Sequence, residues 1–329
     1  MHGLSPGGWW NPLTWVRTYR QVRRLLRRGR YDLMIVHSPA MSWIARRAAV
    51  GCVPAVVYTA HGLPFAPRQC PVCYALLRRI ERHVGRCTDG ILVMNEEDAR
   101  ACQRYRLPHA GGQWFRIPGV GVDVDAWSAP PQADQLHRLD AELNLSSGRA
   151  VVLYLGRFIA AKRPGDVLEL ARRHVEADFI LAGEGRLWAR IHRRSRVLPN
   201  VRVLGWRDDI HTLVHRSDVA VFPSVFREGL PRFLLEAQGA GKPVIAYDVR
   251  GSRDAVDDGR SGLLVRPGDV EALDTALSRV LDDPEYARRL GQAGRRRAAE
   301  RFSIDRATGA QLSALSAVLA RKGLLAPWS

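Results

Sequence analysis

Short apolar runs alternate along the chain with longer amphipathic stretches, the pattern of βαβ units built around parallel sheets. In the first half this predicts strands over 33–36, 53–58, 91–94 and 115–117, with helices over 42–49, 74–84 and 96–105 between them. After Pro118 a stretch rich in Gly, Pro and Ser, GVGVDVDAWSAPPQ, reads as an interdomain link. A second series follows, with strands over 151–155, 179–181, 201–204, 219–222, 244–246 and 263–265 and helices over 270–281, 285–300 and 306–319. These strands are nearly continuous Val/Ile/Leu runs, so helices should cover both faces of their sheet. No repeat of fixed period is present. The expected organisation is a first α/β domain over 1–125, a linker over 126–148, a second α/β domain over 149–303, and a C-terminal helix and tail over 304–329. Both domains should be doubly wound and face each other across a cleft.

Composition narrows the class. Of 329 residues, 46% are hydrophobic and 25% charged, which is globular composition. Fifty Lys and Arg against 33 acids leave a net charge of +17, so the surface favours anionic partners. Nucleic acid, an anionic membrane face and phosphorylated small molecules all fit that charge. No apolar run approaches the roughly 20 residues of a spanning helix; the longest candidate, 48–60, is broken by Gly51 and Pro54. The opening MHGLSPGGWW lacks the basic and apolar regions of a signal peptide. Five cysteines, an odd number, make no disulfide framework and point to a reducing compartment. A cytoplasmic location follows as an expectation. Residues 15–30 hold seven arginines and no acid, with Trp15, Tyr19, Val22 and Leu26 recurring at helical spacing. Such a helix either packs its stripe on the sheet or lies on anionic lipid.

Two segments carry chemistry. The first, Arg227-Glu228-Gly229-Leu230-Pro231-Arg232-Phe233-Leu234-Leu235-Glu236-Ala237, follows the strand at 219–222, and Pro231 suits the first turn of a helix. A helix opening at the carboxyl edge of a parallel sheet offers unpaired N–H groups and a positive dipole end to an anion. Glu228 and Glu236 beside that terminus are odd for phosphate alone, but suit a ligand with paired hydroxyls. A capping loop with one solvated Glu is the plainer alternative. The second segment, Gly156-Arg157-Phe158-Ile159-Ala160-Ala161-Lys162-Arg163, follows the strand at 151–155, where open α/β sheets bind ligands. Lys162 is one of three lysines among 47 arginines, so it is unlike its surroundings; a solvated basic loop is the alternative.

In order, these segments and four more resemble the donor domain of retaining glycosyltransferases of family 4, which have the GT-B fold. GR and KR after the strand at 151–155 are joined by LAGEGR at 181–186, VLGW at 203–206, EGLPRFLLEA at 228–237, PVIAYDVRG at 243–251 and DGRSGLLVRPGD at 258–269. The match runs from about residue 151 to 302. In the first half YDLMIVHSP, VVYTAHGLPF, ILVMNEEDA and IPGVGVD resemble the branch that builds lipid-linked saccharides, similar to diacetylbacillosamine N-acetylgalactosaminyltransferases. The resemblance implies that Arg157 and Lys162 bind the donor diphosphate, and that Glu236 holds the ribose hydroxyls. It implies that Glu228, with the Gly229 and Leu230 backbone, holds the transferred sugar, and that the turn from Leu204 to Trp206 meets the nucleobase. Gly156, Gly183 and Glu184 would line the same substrate site, and His61 would face the reacting sugar from the first domain. A nucleotide-sugar donor, a lipid-linked or polysaccharide-precursor acceptor, no cofactor and no metal are implied. So is front-face departure of the nucleoside diphosphate. The enzyme would sit peripherally on the inner face of the cell membrane.

Other signals are weaker. Asp123-Val124-Asp125 has the form of a D-x-D metal motif but lies in the linker rather than at a strand end. Gly183-Glu184-Gly185 lacks the spacing of a dinucleotide fingerprint, and neither a phosphate-binding P-loop nor a G-x-S-x-G elbow is present. Cys70, Cys73, His83 and Cys87 have zinc-like spacing, and the first two form a C-x-x-C that fits a redox pair. Outside the enzyme class, a basic nucleic-acid-binding protein would explain the charge, although the arginines spread over both halves. Within the fold, a soluble acceptor, a phosphorylase-like activity or an epimerase remains open. Finally, family members begin with an apolar strand and a glycine-rich turn that this chain does not show before 33–36. The first domain is therefore expected to be incomplete, with roughly 70–90 residues missing by that resemblance and fewer strands than the second.

Overall fold

The computed structural model describes residues 12–37, 39–65, 70–108, 111–226 and 228–328. It divides into two units, one formed by residues up to 119 together with those from 307 onward, the other by 120–306.

The first unit runs α1 (Pro12–Gly29), β1 (Leu33–Val36), α2 (Pro39–Ala49), β2 (Ala55–Ala60), α3 (Pro71–Val84), β3 (Gly90–Val93), α4 (Glu96–Tyr105) and β4 (Gln113–Arg116). The four strands pair in parallel in the order β1-β2-β3-β4. Every residue of β2 and β3 is buried, as apolar runs between helix layers should be. All four residues of β1 are half-buried, because β1 is the last strand on its side of the sheet. On α1, Val22 and Leu26 are buried against Ala48, Ala49, Val53 and Val56, with Tyr19 partly buried beside them. Arg23 donates to the carbonyl oxygens of Ala48 (3.1 Å) and Val50 (2.9 Å). The stripe read from the sequence thus packs on the unit from Tyr19 onward, while Trp15 stays exposed.

The second unit runs α5 (Val124–Ser128), α6 (Ala133–Leu143), β5 (Val151–Leu155), α7 (Pro164–Arg173), β6 (Asp178–Ala182), α8 (Trp188–Ser195), β7 (Val201–Leu204), α9 (Ile210–Arg216), β8 (Val219–Phe222), α10 (Arg232–Gly239), β9 (Val244–Tyr247), α11 (Ser252–Ala255), β10 (Leu263–Val265), α12 (Val270–Asp282) and α13 (Pro284–Phe302). A last helix, α14 (Ile304–Ala320), continues into the first unit. The sheet is parallel, in the order β10-β9-β8-β5-β6-β7. Alternate residues of β5 feed two separate cores, Val152 and Tyr154 into one and Val151, Leu153 and Leu155 into the other. That is the physical reason its sequence shows no alternation. The chain leaves β5 toward β6 on one side and returns to β8 on the other, so a crevice opens between the carboxyl ends of β5 and β8.

The stretch read as a link is ordered and helical. The Asp123 carboxylate accepts from the Ala126 amide at 3.0 Å and caps α5, and a reciprocal Gln132–Gln135 box starts α6. The first acid of the D-x-D sequence is thereby a helix cap.

Candidate active site

Of the site residues named for the second half, Glu236 sits inside α10, Leu204 ends β7, and the other described ones lie on loops at the carboxyl ends of β5, β6, β7 and β8. These loops are laced together by backbone hydrogen bonds: Gly156 N–H to Ala182 O (3.1 Å), Phe158 N–H to Glu184 O (2.7 Å) and Gly183 N–H to Gly205 O (3.0 Å). The lacing dictates glycine at two positions. A Cβ on Gly183, whose φ is +140°, would lie 2.1 Å from the Gly156 carbonyl oxygen, and one on Gly185, at φ +149°, would lie 2.6 Å from that of Phe158. Under the β5 loop the buried Tyr154 hydroxyl lies 3.2 Å from the Arg157 carbonyl oxygen and 3.4 Å from that of Lys162. From the β8 loop the Val225 amide donates to Ala161 O at 2.8 Å, which docks that loop on the first.

Three charged groups, Lys162, Glu228 and Arg157, converge on this floor, and a fourth, Glu236, lies on the helix that follows. Lys162 is buried, and its ammonium forms an ion pair with the Glu228 carboxylate. Burial pushes the Lys162 pKa down; the Glu228 charge opposes that shift, and Arg157 adds to it. The ammonium also sits 4.6 Å from the ring centre of Phe222 and 5.6 Å from that of Phe226, and the exposed Arg157 guanidinium lies 5.4 Å from the latter. Glu236, one turn into α10, is held above the ordinary carboxylate pKa by burial, against the pull of Arg232 at 2.7 Å. Behind Lys162, Arg163 Nε meets Asp166 at 2.5 Å and the Tyr247 hydroxyl donates to the same carboxylate at 2.5 Å, fixing the start of α7 to the end of β9.

The remaining predicted residues fall around this cluster. Gly156 and Gly183 form the laced floor, and Glu184, exposed, contributes its carbonyl to the lacing. Leu204 ends β7, and Trp206 just after it is 72% exposed, its indole N–H held by Asp208 at 2.9 Å. Gly229 and Leu230 follow Glu228 in the loop that leads into α10, while Arg227 lies outside the described residues.

In the first unit His61 follows β2, also at a carboxyl strand end, and is exposed. Its Nε2 is 3.1 Å from Nδ1 of His37, which follows β1. Partial desolvation of its ring and the neighbouring His37 both lower the His61 pKa, which favours its neutral form. Sequence reasoning missed His37. It also missed Phe222, Phe226, Tyr154, Asp166 and Tyr247; the only signal for the first two was two phenylalanines flanking the Pro-Ser-Val turn after β8. Among the described residues no group of three or more His, Cys, Asp or Glu is close enough to share a metal ion, so Cys70, Cys73, His83 and Cys87 form no zinc set.

Residues 137–297 match the family model described as "Glycosyl transferases group 1", and residues 1–111 match "Glycosyl transferase 4-like domain". The chain is a GT-B glycosyltransferase of the family 4 type. It is 30% identical over 298 residues to EpsD of Bacillus subtilis strain 168, covering 88% of this chain and 77% of EpsD. It is 28% identical over 271 residues to the Escherichia coli UDP-Gal:alpha-D-GlcNAc-diphosphoundecaprenol alpha-1,3-galactosyltransferase, covering 79% of this chain and 69% of that one. In structure this glycosyltransferase is similar to Anabaena HepE, solved in complex with UDP-glucose, with a TM-score of 0.77, 19% identity and coverage of 93% and 84% of the two chains. Two parallel-sheet, Rossmann-like units are what that fold requires, and both are present.

Proposed function

We propose that this glycosyltransferase moves a sugar from a UDP-linked donor to a lipid-linked saccharide or polysaccharide precursor, with retention of anomeric configuration and without a metal. The observation that carries the reading is one buried ammonium paired with the Glu228 carboxylate, a guanidinium over the same phenyl ring after β8, and the buried Glu236 carboxylate one turn into the next helix. In that arrangement Arg157 and Lys162 take the diphosphate, and the N-terminus of α10 adds its positive dipole end. Glu236 takes the ribose hydroxyls. Glu228 and the Gly229 and Leu230 backbone take the transferred sugar, while the turn from Leu204 to Trp206 meets the base above Gly156, Gly183 and Glu184. His61 faces the reacting sugar from the first unit, which serves the acceptor. The second unit serves the donor.

The chemistry asks little of the side chains beyond electrostatics. As the bond from the sugar to the diphosphate breaks, negative charge grows on the leaving oxygen. Preorganised cations in a partly dry site stabilise that charge more than they stabilise the ground state. The same oxygen accepts the proton of the acceptor hydroxyl that attacks from its own face, so neither a protein nucleophile nor a separate base is needed. The UDP-sugar named in the Escherichia coli relative and the UDP-glucose bound by Anabaena HepE support the donor class; the diphosphoundecaprenol in the former name supports the acceptor class and the lipid-linked-saccharide branch. Peripheral attachment to the inner face of the cell membrane follows from such an acceptor, with exposed arginines of α1 as the contact; no described helix is long and apolar enough to cross a bilayer. Thermal shift against UDP-, GDP- and ADP-sugars tests the donor: UDP-sugars should raise the melting temperature most. A larger shift with another base would overturn the UDP assignment, and no shift with any would overturn the site.

A further inference from the structure

We propose that Cys70 and Cys73 form a redox-active dithiol in which Cys70 is the attacking sulfur and Cys73 the resolving one, closing to an internal disulfide in the presence of a small-molecule disulfide such as glutathione disulfide. Cys70 is the N-cap residue of the 14-residue helix α3, Pro71 opens the helix, and Cys73 is its third residue. N-cap and third-residue positions are the two that a capping box joins, so Cys70 and Cys73 stand on the same side of the first turn. That turn is formed: the Tyr74 amide donates to Cys70 O at 2.9 Å. Both thiols are exposed and reachable by a tripeptide-sized oxidant. In a helical turn Cα atoms three residues apart lie about 5 Å from each other, inside the Cα range that a disulfide spans.

The two sulfurs are unequal. The Cys73 amide, the Cys73 thiol and the Val72 amide all lower the Cys70 pKa, and the same thiol contact with Cys70 raises that of Cys73. A thiolate at the positive end of a helix, with a protonated thiol one turn on, is the arrangement that separates nucleophile from resolving group. The other thiols are not so placed. Cys102 is buried and its pKa is pushed far up, Cys87 lies beside Arg47 at 3.6 Å, and Cys52, half-buried in the turn after α2, packs against Val22, Leu26 and their neighbours. No third metal ligand approaches the pair among the described residues, which leaves it to sulfur chemistry.

The exchange balances. The Cys70 thiolate attacks one sulfur of glutathione disulfide, forming a mixed disulfide and releasing one glutathione thiolate. Cys73 gives up its proton and attacks the Cys70 sulfur, closing the internal bond and releasing the second glutathione. Two electrons pass from the pair to the oxidant, and the two thiol protons end on the two glutathiones.

Peptide mapping by mass spectrometry after exposure of the full chain to excess glutathione disulfide tests this. The peptide holding Cys70 and Cys73 should become lighter by two hydrogens while Cys52, Cys87 and Cys102 stay reduced. Cys73→Ser should trap glutathione on Cys70, and Cys70→Ser should leave Cys73 reacting no faster than Cys87. Retention of both thiols, or a mixed disulfide on Cys70 that persists in the unsubstituted chain, would overturn the proposal. Trapping on Cys73 rather than Cys70 would overturn the assignment of roles. Both substitutions are conservative at exposed positions, and circular dichroism of each variant confirms that the fold is kept.

Discussion

Lys162 shows how one side chain links burial, charge and chemistry. An ammonium this deep is kept charged by Glu228 and by two phenyl faces, so it is preorganised toward any anion that enters the crevice. Lys162→Ala and Arg157→Ala should each lower turnover on the order of 10²–10³-fold, the cost of removing one preorganised donor to a developing oxyanion. Steady-state kinetics checks this, and losses under threefold in both would remove them from the reaction. Glu236 gives a pH-dependent counterpart. Burial holds its carboxyl above the ordinary pKa, so between the unfolded and folded pKa values the native chain binds more protons than the unfolded one. Its contribution to stability is complete below the unfolded value and lost as pH rises through the folded one. Glu236→Gln should therefore melt higher than the parent at pH 7–8, lose that advantage below roughly pH 4, and bind donor more weakly. A melting difference of the same size across that range would contradict the assigned ionisation.

At the level of elements, the site is a set of strand-end loops tied to one another by backbone hydrogen bonds. Gly183→Ala should cost at least about 2 kcal/mol, because the residue combines positive φ with direct approach to the Gly156 carbonyl. Gly309→Ala, inside α14 with open space around it, should be neutral or stabilising by about 0.5–1 kcal/mol. Thermal melts of the two variants separate a steric demand from a general glycine effect. The same elements show what the sequence made legible. Strands β5, β7, β8 and β10 stand where their Val/Ile/Leu runs place them, and α4 spans the 96–105 read for it, with Asn95 as its cap. Helices α6 to α9 were not picked out in advance. In α8 only Ile191 and Ser195 are buried, too few apolar positions to set a period. The charged site residues were readable because Lys, Arg and Glu at strand ends carry meaning by type. Phe222, Tyr154, Asp166 and Tyr247 were not, since the contacts Tyr154–Lys162, Phe222–Lys162 and Tyr247–Asp166 join positions far apart in the chain.

On the scale of the whole molecule, +17 of charge carried largely by arginine sets long-range behaviour. Of the seven arginines in residues 15–30, six lie on α1, whose apolar face is already packed, and all of the seven except Arg23 are exposed. The chain should sediment with anionic vesicles at low salt and release as salt rises, at roughly 1 kcal/mol per basic residue near the surface. Reversing Arg17, Arg20 and Arg24 to Glu should abolish that, and equal recovery on neutral vesicles would reduce α1 to ordinary surface. The central claim, sugar transfer from a UDP donor to a lipid-linked acceptor, is tested most directly by one measurement. Label is followed from a panel of UDP-sugars into an organic-extractable polyprenyl-diphosphate saccharide in the presence of EDTA, with NMR of the product bond. The account predicts transfer from at least one donor, undiminished by EDTA, with the donor's anomeric configuration kept and the yield of Lys162→Ala down about a hundredfold. Label that stays in the nucleotide with every donor, or a product of inverted configuration, would contradict it.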